Sequence, residues 1–242
     1  MSTLTTGELA QEADAPLAAS DRLQQRLAEA ANYAVLRRVA PVLRHDVAGF
    51  MQPVGMLMVV LQRRVQMPEP DLQAIAKNVA SVSSLTKEAT AACMNAMGWM
   101  ASRDDTGLSL RSSVDAAAKL LAMELSSGGL EISNAVSDNA ATVPESFFRS
   151  VLMGALLAFC DQRTAGSTLQ VSVEAGPAND PAVSRLMLRM LPGGVATLSA
   201  PADPVRKSRN IDWQDVEAMA GSFGVSLSRG EGWLGLDLPQ PG

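Results

Sequence analysis

"VLRHDVAGFMQPVGML" (Val42–Leu57) lies inside the longest helical pattern of the chain and holds His45, the only histidine among 242 residues. Reading outward from it decides the architecture. Upstream, Leu23, Leu27, Ala31, Ala34, Val35, Val39, Val42 and Leu43 fall near a heptad-like stripe, while Arg22, Arg26, Glu29, Arg37 and Arg38 lie mostly off it. Downstream the stripe continues through Met51, Met58 and Leu61 to about Val65. Ser20-Asp21 supplies a helix cap, and residues 1–20 read as a disordered lead-in. Pro41 and Pro53 interrupt the pattern, and a proline inside a helix removes a hydrogen bond and bends the axis. The stretch therefore predicts one long kinked helix, or two nearly collinear ones, over about 21–66.

"QMPEPD" (Gln66–Asp71) follows as a turn, because two closely spaced prolines stop one helix and Asp71 caps the next. A second helix is predicted from Asp71 to about Met100, with Leu72, Ile75, Ala76, Val79, Val82, Leu85, Ala89 and Cys93 on one side. Two long helices joined by a short turn make an antiparallel hairpin over 21–101. Such a hairpin cannot bury both of its apolar faces alone. A second copy would complete an antiparallel four-helix bundle, so packing predicts a homodimer.

"SRDDTG" (Ser102–Gly107) marks a boundary, after which residues 108–242 read as a mixed α/β domain. Helices are predicted over Ser112–Ser126, Pro144–Gln162 and Asp212–Phe223, the last closed by Gly224. Strands are predicted over Leu130–Val136, Thr168–Glu174 and Val183–Leu191, and a closing hairpin pairs Val225–Ser228 with Trp233–Leu238. The fold class is α+β, with a sheet layered by helices on one face.

Composition removes several function classes. Apolar residues make up 47% of the chain, enough for a core, but aromatics only 4%, so Leu, Val, Met and Ala must pack it. A net charge of −5 argues against a nucleic-acid partner. Cys93 and Cys160 stand far apart in apolar helical contexts, with no Cys/His cluster for a metal. The N-terminus is polar and Ala-rich, unlike a signal peptide, and no apolar run reaches a membrane span, so a soluble cytoplasmic protein is expected. A serine or cysteine hydrolase lacks its parts, since no GxSxG elbow occurs and the single histidine stands in no triad. Met51, Met56 and Met58 fit core filling as well as an adaptable docking surface. Trp99, Trp213 and Trp233 read as packing residues, and "PVRKSR" (Pro204–Arg209) as a surface loop.

A helical hairpin followed by this element order resembles a bacterial histidine kinase core over about residues 21–240. "HDVAGFMQPV" resembles the kinase phosphoacceptor box, with His45, the acidic Asp46 next to it, and Pro53 eight positions on. The second domain departs from the kinase pattern. On "VLMGALLAFCD", the positions where such kinases carry magnesium–ATP asparagines correspond to Gly154 and Ala158, neither of which offers the oxygen donors a hard cation needs. The turn "MLPGGVAT" has no adenine-reading aspartate, a glycine-rich ATP lid is missing, and Gly193-Gly194 alone is a turn signal. The second domain thus resembles a degenerate ATPase-like α/β sandwich.

This combination resembles the dimeric histidine phosphotransferases of sporulation and cell-cycle relays, which take a phosphoryl group from one receiver aspartate and pass it to another without ATP. The resemblance implies response-regulator receiver domains as partners, with Mg²⁺ supplied by the receiver, and a phosphohistidine at His45. Imidazole is a competent nucleophile at neutral pH, and phosphoryl transfer is mostly positioning and charge stabilisation. Asp46 would orient the ring or take its proton, and Arg44 would offset phosphate charge. On a helix, Ala48 and Gly49 share the face of His45, and Gln52 lies on the same stripe. Gly49 costs roughly 1 kcal/mol against alanine, so it needs a reason. Clearance for a docked receiver is one, and a kink beside Pro53 is the other. With glycine at that place, the water-positioning side chain of many kinases is missing. Two further functions remain open from sequence: an ATP-dependent kinase with divergent motifs, and a non-catalytic dimeric adaptor.

Overall fold

A computed structural model describes residues 6–100, 106–162, 167–176, 183–191 and 209–239. The chain is α+β, a long helical hairpin followed by a mixed-sheet domain. It divides into two compact units, one made of Met1–Val35 with Asp105–Gly242, the other of Leu36–Asp104. The first part of the first helix therefore groups with the C-terminal domain. The sequence reading assigned it to the hairpin.

α1 runs over Thr6–Val65 and continues as α-helix through Pro41 and Pro53. It starts ahead of the predicted cap at Asp21. The lead-in is rich in Ala, Leu and Glu, and good helix formers extend a helix once a nucleus exists downstream. α2 spans Leu72–Gly98, and the Asp71 carboxylate accepts from the Ala74 backbone N–H at 3.0 Å, as a cap must.

Within the hairpin unit, Val39 and Leu43 are buried and Val47, Phe50, Val54, Leu57 and Leu61 are half-buried. On α2 the matching residues are Ile75, Val82, Leu85, Ala89 and Cys93. These recur at three- and four-residue spacing, the seam of two packed helices. A second stripe stays exposed: Met51, Met58 and Val65 on α1, Leu72, Val79 and Met97 on α2. The predicted α2 face is thus split, because one side chain in a two-helix layer cannot reach both neighbours.

In the other unit, β1 (Gly107–Ser109) and β3 (Thr142–Pro144) form a small antiparallel pair that the sequence reading missed. α3 (Leu110–Leu120) and α4 (Ala122–Gly128) replace one predicted helix, and Gly129, at φ 62°, ends α4 and leads into β2 (Leu130–Asn134). The predicted helix after Pro144 has three parts: α5 (Glu145–Phe147), a π-helical turn (Phe148–Leu152) and α6 (Met153–Asp161). β4 (Ser167–Ala175), β5 (Val183–Leu191), α7 (Trp213–Ser222), β6 (Ser226–Gly230) and β7 (Trp233–Pro239) follow.

The main sheet has the order β2-β4-β5-β7-β6, with β2–β4 parallel and the other pairs antiparallel. Leu169, Val171, Leu186, Leu188, Leu234 and Leu236 are buried on one face. The alternate residues carry ion pairs, Arg185 with Asp237 at 2.6 and 2.9 Å and Arg189 with Glu174. Period-two alternation puts leucines and charges on opposite faces of the same strands.

Candidate functional site

His45 occupies the outside of α1. Its side chain is 80% exposed, and Arg44 and Asp46 on either side are exposed too. The geometry follows from helical pitch. Leu43 is buried and Phe50 half-buried, and at 3.6 residues per turn His45 lies roughly half a turn from that seam and so faces away. Gly49 and Gln52 are exposed and Ala48 is half-buried, so the helix brings these three to the ring at spacings of three, four and seven. A Cβ placed on Gly49 would meet nothing within 4 Å. Among the described residues, no atom outside the helix itself would crowd a side chain there.

Asp46 is the closest charge to the ring, with Oδ1 3.6 Å from His45 Nδ1. That is ion-pair distance and longer than a hydrogen bond. The carboxylate lines a groove of about 320 Å³ with Leu43 and Phe50 of α1 and Glu88, Ala92 and Asn95 of α2. Asp46 thus meets the imidazole through Nδ1 and also lines the groove with the second helix, and among the described residues Nε2 makes no hydrogen bond or ion pair. Arg44 makes no ion pair among the described residues and is a free cation one position away.

α6 has the opposite character. Every residue from Met153 to Cys160 is buried. Gly154 is closed in: a Cβ there would stand 2.3 Å from Met219 Cε of α7 and 3.7 Å from Val35 Cγ2 of α1. Ala158 is fully buried as well. These two positions offer methyl groups and backbone to an apolar interior, and they do not fit a magnesium–nucleotide complex. The turn "MLPGGVAT" beyond Leu191 and "PVRKSR" before Arg209 lie outside the described residues.

The far ends of α6 and α7 are tied by polar contacts that sequence reading did not single out. Asp161 accepts from the Ile211 backbone N–H at 2.9 Å. Trp213 Nε1 donates to Gln162 Oε1 at 2.8 Å, and the Trp213 ring meets Phe159 edge-on at 5.0 Å. Arg209 binds Asp215 through both guanidinium nitrogens, at 2.5 and 2.7 Å, and Asp212 and Asp215 close a reciprocal cap at the start of α7. Burial pushes the Asp215 carboxyl up, but the hydrogen bonds from Arg209 and the Asp212 backbone, with the Arg209 charge, outweigh it and hold the group below the ordinary carboxylate range. The same pair raises Arg209. Phe159, Trp213, Met190 and Arg229 line a hollow of about 650 Å³ at this end. Among the described residues no group of three or more His, Cys, Asp or Glu could hold a metal, and no helix is long and apolar enough to cross a membrane.

No protein-family model matches the chain, and no curated protein matches it. Solved structures similar to it include histidine kinases. The histidine kinase AdeS of Acinetobacter baumannii is 13% identical, with 77% of this chain and 96% of that one covered and a TM-score of 0.44. A histidine kinase from Burkholderia phymatum STM815 is 16% identical over 85% of this chain and 99% of that one, with a TM-score of 0.42. The blue-light activated histidine kinase EL346 of Erythrobacter litoralis is 13% identical over 76% of this chain and 62% of that one, with a TM-score of 0.37.

Proposed function

We propose that this chain is a histidine phosphotransferase of a two-component relay. It carries a phosphoryl group between receiver aspartates through His45. The observation that carries the reading is the site itself: the only imidazole of the chain, 80% exposed, beside a glycine whose surroundings are open. Gly49 costs helix stability by roughly 1 kcal/mol, and clearance for a docked receiver would offset that cost.

The step is a displacement at phosphorus. His45 Nε2 attacks the aspartyl phosphate, the N–P bond forms, the acyl P–O bond breaks, and the receiver carboxylate leaves with the electron pair. The Nδ1–H stays on the side of Asp46, which stabilises the positive charge that develops on the ring. Arg44 adds a cation near the incoming phosphoryl group. The reverse displacement delivers the group to a second receiver aspartate. The receiver brings Mg²⁺, and the chain needs no cofactor of its own.

The working form is a homodimer. Met51, Met58 and Val65 repeat every seven residues along one exposed line of α1, and Leu72 and Val79 do so on α2. Covering these stripes with a second copy completes a four-helix bundle. His45 lies off that line and stays accessible.

The test is transfer from labelled, phosphorylated receiver domains to wild type and to His45→Ala, with labelled ATP offered separately. Label on wild type from a receiver, with none from ATP and none on the variant, is the expected result. Label arriving from ATP would make the chain a kinase. No label from any donor, with receiver binding intact, would make it an adaptor.

A further inference from the structure

The main sheet loses its leucines at the end where α6 finishes and α7 begins. On the inner face, Val171, Leu188 and Leu234 form one row, and Arg229 of β6, paired with Leu234, ends it. In the next row Leu169 stands opposite Met190, whose N–H donates to the Gly232 carbonyl at 2.7 Å. One step further along β4, alternation puts Ser167 on the same buried face as Leu169 and Val171. Large branched side chains thus give way to methionine, glycine and serine. The space left is the hollow of about 650 Å³. Phe159 at the end of α6 and Trp213 at the start of α7 wall it with two rings that meet edge-on.

The polar groups of the hollow are short of partners. Ser167 is only 8% exposed, yet among the described residues its hydroxyl makes no hydrogen bond. A buried hydroxyl without a partner costs free energy, and an acceptor brought in by a ligand would remove that cost. Gln162 Oε1 is taken by Trp213 Nε1, while Gln162 Nε2 makes no hydrogen bond among the described residues. Both groups can donate, so a carbonyl oxygen suits them. Charge narrows the choice. Arg229 already stands 3.5 Å from Glu217, and Glu231 lines the rim. Two carboxylates against one guanidinium disfavour an anion. The volume lies within the range of small-molecule sites.

We propose that this hollow binds a small, uncharged, planar aromatic molecule that carries a carbonyl group. The ring lies among Phe159, Trp213 and Met190, where aromatic and thioether surfaces favour a flat apolar body. The carbonyl accepts from the Ser167 hydroxyl, with the Gln162 amide as a further donor on the wall. The inference rests on the C-terminal unit alone and is independent of the chemistry assigned to His45.

The experiment is proton–nitrogen correlation NMR on the full chain, following the Trp213 Nε1–H resonance, which Trp213→Phe assigns. The probes are naphthalene carboxamide and naphthalene carboxylate, an uncharged compound and an anion of the same shape. The carboxamide should shift the Trp213 resonance saturably below about 1 mM, and the carboxylate should bind about fivefold more weakly. Ser167→Leu continues the leucine face into the hollow and should weaken carboxamide binding by about tenfold or more, with Tm at or above that of wild type. Gln162→Glu keeps an acceptor for Trp213 but removes a donor, and should weaken binding by about fivefold. If Ser167→Leu fails to fold, Gln162→Glu decides alone. A wild type with no saturable shift at Trp213 overturns the site. So does equal binding in wild type and both variants, which would put the probe elsewhere on the chain. A carboxylate that binds as tightly as the carboxamide overturns the uncharged class.

Discussion

α1 around His45 and α6 around Gly154 are both helices built from small and apolar residues, yet they have been given opposite surroundings. The first places three ionisable side chains in a row in solvent, with open space beside Gly49. The second has no Asp, Glu, Lys, Arg or His from Met153 to Cys160, and a Cβ on its glycine would stand 2.3 Å from Met219 Cε. A glycine therefore means two different things in this molecule. At Gly154 a Cβ would stand 2.3 Å from the buried Met219 Cε, so that methionine would have to shift. At Gly49 a Cβ would meet nothing within 4 Å.

The largest expected effect breaks the His45 side of this contrast. His45→Ala should lower receiver-to-protein phosphotransfer by roughly a thousandfold or more, because no second imidazole can replace the nucleophile. Its thermal unfolding should stay within about 0.5 kcal/mol of wild type, as for other exposed positions. A variant that still accepts label would move the reactive atom elsewhere.

The buried helix should respond the other way. Gly154→Asn adds volume and an unpaired amide where Met219 and Val35 already meet, and about 3 kcal/mol of stability should be lost. It should not gain magnesium–ATP binding by calorimetry, because one donor does not remove the apolar neighbours. A stable variant that binds nucleotide would show that α6 is only lightly closed.

Gly49 sharpens the comparison through opposite signs in one variant. Gly49→Ala should raise stability by about 1 kcal/mol in chemical denaturation, since helix propensity improves and no atom lies within 4 Å. Gly49→Leu should keep most of that gain but slow phosphotransfer by about tenfold if a receiver must approach there. Equal transfer in wild type and Gly49→Leu would return the glycine to a local bend beside Pro53.

The smallest effect concerns Asp215. Its carboxyl sits below the ordinary range in the folded chain, so the stability it contributes is present above the unfolded carboxylate range and is lost as pH falls through the lowered value. Asp215→Asn should cost about 1 kcal/mol at pH 7, a modest figure because Arg209 is half exposed. The difference from wild type should close on acidification, as measured by Tm against pH. A gap that persists at low pH would point to packing instead of charge.

Local chemistry made much of the fold readable. Asp71 and Asp212 cap their helices as their positions before an apolar pattern indicate. Gly224, at φ 64°, closes α7, and Val183–Leu191 is the strand its alternation predicts. The turn between β6 and β7 pairs Gly230 with Trp233, as the glycine-flanked tip suggests. Each of these is decided within a few residues. The misses have a common cause. β1 and β3 are three-residue strands that exist only because they pair with each other across distant chain. The break between α3 and α4 at Leu121 leaves no proline or glycine signal. The polar ties of Asp161 and Gln162 join the end of α6 to Ile211 and Trp213 at the start of α7, far apart in sequence.

The candidate site divides along the same line. His45 was legible because it is unique and because helical pitch alone brings Ala48, Gly49 and Gln52 to its face. That Asp46 lines a groove with Glu88 and Asn95 depended on the second helix. The absence of oxygen donors at Gly154 and Ala158 was written in the residues. What fills the space beside them was not.

By itself, the sequence determined the helical hairpin, the caps and turns, the strands with clear alternation, and a lone exposed imidazole with small neighbours. All of these follow from propensity and periodicity over a few residues. Only the tertiary structure decided that α1 divides its allegiance at Val35, that α6 is closed by Met219, and that two stripes of the hairpin stay uncovered. Those depend on which surfaces meet after the chain has folded, and a heptad stripe states that a face is apolar without stating what covers it.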